Sequence, residues 1–285
     1  MNIPYSIWSS YFSDLTPEAA VDELVKAGFS CTEFSDEHGA VLLDRVSGIP
    51  NGPEKAGSEL KRYADDKGFT FPQGHLFLKV DLCSDEAVDV LKRWLDLFVA
   101  LDIRAGVLHA AGGIELSPEV RFDRWVRALT ALTDHLKGTN MSIALENLRH
   151  ANGTNSAEDI LTLIDAVGSD HLGICLDTGH LNLTRSQSLV PYSQSEFIRR
   201  AGKKLIALHI ADNDTSRDQH ILPFSTGNVD WKDVMTGLRD VNYQGLFNLE
   251  IPGERVHCPL TLRRAKLPYI HAMCREMLSD DFLTK

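Results

Sequence analysis

The feature that most constrains this chain is a rhythm: short apolar runs alternate with stretches of helical periodicity along its whole length. The runs lie at residues 3–8, 31–34, 69–76, 105–109, 141–146, 172–177, 205–209 and 245–250. Within each, apolar residues are continuous rather than alternating, as expected of parallel strands buried on both faces. The stretches between them carry helix signals. Thr16-Pro17-Glu18 opens one that closes near Gly28, and Ser156 with Asp159 has the S-x-x-D start signature. Further helices are expected at 53–67, 84–101, 118–137, 193–201, 231–241 and 260–277. Eight successive βα units over 285 residues predict an α/β fold of one kind, a closed (β/α)8 TIM barrel, as a single domain over residues 1–285. The longest helix-poor segments, 35–52 and 210–229, follow strand C-termini, the face on which barrels build active sites.

Composition narrows the function classes. The formal net charge of −11 disfavours broad binding to nucleic acid or anionic lipid, which needs clustered Lys and Arg. No apolar run approaches the ~20 residues of a membrane span. The first residues, MNIPYSIWSSYF, lack the basic and apolar regions of a signal peptide, so a cytoplasmic protein is expected. The five cysteines are widely spaced without a C-x-x-C pair and read as reduced thiols.

Chemistry concentrates at the strand ends. Glu146, Asp177, His209 and Glu250 close four successive apolar runs. If strands five to eight lie side by side and parallel, these tips converge on one rim. Three carboxylates and one imidazole suit a divalent Mn2+, Mg2+, Co2+ or Zn2+ ion, with carboxylate richness favouring the harder members. More ligand-type residues fall on the same face: His75 and His109 at the third and fourth strand ends, His180 in D-T-G-H, and Asp218 and His220 in the loop after His209. Trp8, Phe12, Phe34 and Phe77 are expected to wall the pocket, while Trp231 reads as structural. Arg149, Arg217 and Arg255 are candidate substrate anchors; no G-x-x-x-x-G-K phosphate cradle is present.

The D-T-G-H motif, the D-x-H-x-x-P-x-x-x-G-x-x-D-W stretch from Asp218 to Trp231, and the strand-end Glu146 and Glu250 resemble the xylose-isomerase-like barrel superfamily. That group includes sugar and sugar-phosphate isomerases and epimerases, inositol-catabolism enzymes and metal-dependent apurinic endonucleases. The resemblance implies one catalytic metal on Glu146, Asp177, His209 and Glu250. It implies contact of His180 with substrate or metal, and a pocket lined by His75, His109, Asp218 and His220. It also implies that Glu146 and Glu250 form an acid/base pair, moving a proton through a metal-stabilised enediolate of a sugar, ketose or sugar phosphate.

The expected partner is therefore a small-molecule carbohydrate, with no nucleic acid and no membrane; assembly into a homo-oligomer is left open. The chain departs from the ketohexose 3-epimerase pattern, with Asp212 and Thr215 where those enzymes carry Glu and Arg, and Arg217 displaced by two. Two alternatives stand beside the sugar reading. In the apurinic endonucleases nine ligands hold three zinc ions, and this chain offers a candidate for each, which leaves room for additional Zn2+ and a phosphodiesterase. Dehydration of an inositol-derived ketone would use the same base and metal.

Overall fold

Each apolar run contains a parallel strand: β1 (Tyr5–Ile7), β2 (Cys31–Phe34), β3 (Thr70–His75), β4 (Ala105–Leu108), β5 (Ser142–Glu146), β6 (Leu172–Asp177), β7 (Leu205–His209) and β8 (Phe247–Leu249). This computed structural model describes residues 1–149, 153–252 and 258–284. Strands β2 to β7 hydrogen-bond in sequence order as a six-stranded sheet, and β1 pairs with β8. The two groups join into the TIM barrel. At one seam the Ile210 N–H donates to the Asn248 carbonyl (2.8 Å), extending β7 onto β8. At the other, the Thr32 hydroxyl of β2 donates to the Ile7 carbonyl of β1 (2.7 Å).

The helices are α1 (Pro17–Lys26), α2 (Asp36–Arg45), α3 (Gly52–Asp65), α4 (Ala87–Ala100), α5 (Pro118–His135), α6 (Ala157–Val167), α7 (Thr178–Ser186), α8 (Gln194–Ala201), α9 (Trp231–Asp240) and α10 (Leu260–Leu278). The start signals act as expected. Thr16 accepts the Ala19 N–H, and Ser156 with Asp159 forms a reciprocal capping box that satisfies otherwise orphaned N–H groups.

Two helices correct the sequence reading. The segment read as helix-poor, 35–52, contains α2, capped by the Ser35 side chain on the His38 N–H. Gly39 disguised it, because a mid-helix glycine weakens the helical pattern. The fold requires that glycine: a Cβ there would lie 2.2 Å from the Trp94 ring of α4. Gly39→Ala should therefore destabilise the chain by about 1–3 kcal/mol through overpacking. Unchanged stability in urea denaturation would refute this close approach of α2 to α4. The second correction is α7, absent from the expected helices, which begins directly at the end of β6, so D-T-G-H opens a helix.

Large side chains fill the layer between strands and helices, with Phe34 packed edge-on against Phe71 and Phe98. Inside the barrel the apolar residues are small: Ala105, Val107, Ala144, Cys175 and Ala207. Room is left there for buried polar groups, among them Ser6, Glu33, Gln73 and Asn248. All five cysteines are unpaired thiols.

Candidate metal centre

Parallel strands bring their C-terminal ends to one rim, and there the sequence quartet meets. Glu146, Asp177 and His209 end β5, β6 and β7, and Glu250 follows β8 directly. One ligand-type atom from each lies within 4.8 Å of the others. Asp177 Oδ2, His209 Nδ1 and Glu250 Oε2 are buried with no hydrogen-bond partner among the described residues. His209 Nδ1 stands 3.3 Å from Glu146 Oε2 and 3.2 Å from Glu250 Oε2. Buried polar atoms without partners are costly and uncommon. Three aimed at one point, all hard or borderline donors, fit a divalent cation.

The quartet is held from behind. Asp177 divides its carboxylate: Oδ1 accepts the His180 N–H (2.6 Å) and caps α7, which leaves Oδ2 facing inward. The Asn147 amide exchanges hydrogen bonds with the Asp177 main chain (2.7 and 3.0 Å), keeping the ends of β5 and β6 side by side. Glu146 is ringed by imidazoles, with His109 Nε2 at 2.9 Å and His180 Nδ1 at 3.1 Å. His209 donates from Nε2 to Glu33 Oε1 (2.9 Å). Glu33 is absent from the sequence reading; the one signal it carries there is a charge inside the short run Cys-Thr-Glu-Phe.

The remaining expected residues surround the quartet. His75 donates from Nδ1 to the Leu76 carbonyl (2.7 Å), which turns Nε2 towards Glu146 at 3.7 Å. In the loop after β7, Asp218 lies 3.3 Å from His180 Nε2 and 3.1 Å from His220 Nε2, and His220 Nδ1 donates to the Glu250 carbonyl (3.0 Å). The ligand-type atoms form overlapping groups: His75, His109 and Glu146; the quartet; and Asp177, His180 and His220.

Above them opens a cavity of about 510 Å³, lined by His75, His109, Glu146, His180, His220 and Glu250 together with Trp8, Leu78, Leu148 and Pro252. Of the four aromatic residues expected in its wall, only Trp8 is there. Phe12 and Phe34 are in the core, and Phe77 stacks on Trp94. Arg217 is exposed and outside the lining; Arg149 takes that place, 3.2 Å from Asp218. Arg255 lies outside the described residues. Asp36 and Gln219 also line the cavity, and neither was expected. Asp212 lies apart from it, accepting the Trp231 indole N–H (3.0 Å) and the Val229 N–H (3.0 Å), so both residues brace the loop.

Burial and charge oppose each other in this cluster. Burial would raise Glu146, but the His209 and His109 charges outweigh it and hold the carboxyl well below the usual range. For Glu250 burial dominates the opposing His209 and His220 charges and raises it to about 8. Burial would depress His75 and His220, yet Glu146 raises the former to about 9, and Glu250 with Asp218 raises the latter to about 10. A histidine whose folded pKa exceeds its unfolded value of 6.5 stabilises fully below 6.5 and loses that contribution as pH rises through the folded value. The ion-free protein should therefore lose thermal stability between about pH 6.5 and 10, and less steeply in His220→Gln. Melting curves in excess chelator would refute this if the two proteins ran parallel.

A family model described as xylose isomerase-like TIM barrel matches residues 21–272. The D-psicose 3-epimerase of Enterocloster bolteae is 27% identical over 208 residues, covering 67% of this chain and 65% of that protein. Protein y4fM of Sinorhizobium fredii is 32% identical over 173 residues, covering 59% of this chain and 53% of its own length. The match thus spans between about half and two thirds of these relatives. A crystal structure of a D-psicose 3-epimerase in the presence of D-fructose has the same fold, with a TM-score of 0.75 at 18% identity over 97% of this chain and 99% of that one.

Proposed function

This chain belongs to the xylose isomerase-like TIM barrel family, and from that premise we propose that it is a divalent-metal-dependent isomerase or epimerase of a sugar, ketose or sugar phosphate. The observation that carries the reading is the convergence of three buried ligand atoms without a hydrogen-bond partner among the described residues, Asp177 Oδ2, His209 Nδ1 and Glu250 Oε2, beside Glu146, with Glu146 and Glu250 lining the cavity. The Enterocloster bolteae relative, a D-psicose 3-epimerase, supports the same reaction class.

Glu146, Asp177, His209 and Glu250 would hold the ion. A divalent ion bound there supplies Lewis-acid stabilisation for negative charge on substrate oxygen. Glu146 returns a proton to one face of the reacting carbon, and the base that takes the substrate proton from the other face is Glu250. It lines the cavity, and Oε2 has no hydrogen-bond partner among the described residues. Glu146 is the opposing carboxylate, kept ionised at rest by His109 and His180, which lie within reach to supply the proton it returns. Trp8, Leu78 and Leu148 wall the cavity and exclude water from a bound carbohydrate. Incubating a panel of ketoses and their phosphates in D2O with Mn2+ should place deuterium at one carbon of a turned-over sugar. No exchange across the panel, with the ion demonstrably bound, would sink the proposal.

A second reading is favoured by one observation: the flanking groups, His75 with His109 and His180 with His220, also present ligand-type atoms within 4.8 Å of a quartet carboxylate. A site with two or three zinc ions would activate water for phosphodiester hydrolysis. Elemental analysis separates the two readings. One ion per chain is expected for the isomerase, and about three would favour the hydrolase.

A further inference from the structure

Behind the candidate metal centre, four buried side chains from four strands form one hydrogen-bonded line across the barrel interior. The Ser6 hydroxyl of β1 donates to Asn248 Oδ1 of β8 (2.8 Å), and the Asn248 amide donates to Glu33 Oε2 of β2. Glu33 Oε1 accepts from His209 Nε2 of β7 (2.9 Å). Ser6, Glu33, His209 and Asn248 are all fully buried.

The direction of this line follows from chemistry. An ionised carboxylate only accepts, so Asn248 must turn its NH2 group, and His209 its N–H, towards Glu33. With the proton held on Nε2, the lone pair of His209 lies on Nδ1, the atom that faces Glu146 and Glu250. We propose that Glu33, held in place by Asn248 and Ser6, is a positioning residue that makes Nδ1 of His209 the metal-binding nitrogen and sets the affinity of the centre. Glu33 is absent from the cavity lining, so it acts through His209 and does not touch substrate. This inference rests on the metal centre proposed above.

The line also predicts a compensating pair. In Glu33→Gln the side-chain amide can turn either face to His209, because Asn248 can turn over against the rotatable Ser6 hydroxyl. One of those orientations presents NH2 to Nε2 and moves the ring proton to Nδ1, where it blocks binding. Adding Asn248→Asp restores direction. The carboxylate it introduces only accepts, so the amide at position 33 must give its NH2 to position 248 and its oxygen to His209. The net charge of the line is also that of the native protein.

The test is the affinity of the first equivalent of Mn2+, read from the paramagnetic resonance signal of the free ion, with melting of the ion-free proteins as the folding control. Glu33→Gln should bind about 10- to 100-fold more weakly, the usual loss when a carboxylate behind a ligating histidine is removed. The double variant should return to within a few-fold of the native chain. A folded Glu33→Gln that binds within twofold of native overturns the inference, as does a double variant no better than the single one. If Glu33→Gln does not fold, the double variant decides alone: native-like affinity supports the role, and a tenfold loss overturns it. A native chain that binds no Mn2+ overturns the metal centre itself, and this inference with it.

Discussion

Glu250→Gln should lower turnover by about 10²–10⁴-fold while leaving the barrel folded, the range expected when a positioned general base is lost. The substitution keeps the shape of the side chain and removes its ability to hold a proton. Burial already raises the Glu250 carboxyl to about 8 in the ion-free protein, so the cavity floor accepts a neutral group at this position. An amide should accordingly cost little stability, and the ion-free variant should melt no lower than the native chain. Because the amide also weakens one ligand, rates belong at saturating Mn2+. Deuterium incorporation at the exchanged carbon is the sharper readout, since it reports proton transfer alone. Native turnover in this variant would remove Glu250 from the chemistry.

His209→Ala should damage binding and stability together, and that contrast separates the two positions. The ring supplies the one nitrogen donor of the quartet, so affinity for the first ion should collapse. It is also the buried cation-forming partner of Glu33, with Nε2 at 2.9 Å and both side chains fully buried. Removing one member of a buried pair leaves the other charge uncompensated and typically costs about 3–5 kcal/mol. A chain of this length should then melt lower by roughly 10 °C, on the order of 2–4 °C per kcal/mol. Glu33→Gln in the same background should recover part of that loss by discharging the stranded carboxylate. A His209→Ala protein that melts like the native one would show that Glu33 is not held by this contact.

Much of the fold was legible locally, for a physical reason. A parallel strand buried on both faces must be apolar along its length, and a run that stops at a polar residue marks where burial ends. Residues 31–34 and 172–177 accordingly coincide with β2 and β6. Helix α2 was illegible because its glycine answers to Trp94 on another helix and not to its own helical propensity. The aromatic side chains misled similarly. Phe34 alternates to the outer face of β2 and joins Phe71 and Phe98, whereas its neighbour Glu33 turns into the barrel. The pleat makes adjacent residues face opposite ways, but which way is decided only when the sheet curls and closes.

The candidate site divides along the same line. Taken alone, the sequence determined the barrel architecture and placed Glu146, Asp177, His209 and Glu250 at four consecutive strand ends, because apolar runs and their polar terminators are properties of neighbouring residues. It could not determine that Arg149 and not Arg217 lines the cavity, nor that Glu33 stands behind His209 across 176 residues of chain. Those relations come from barrel closure, which brings the second and seventh strands together across the interior. Only there do a carboxylate and an imidazole, ordinary at their own positions, acquire a shared proton and a direction.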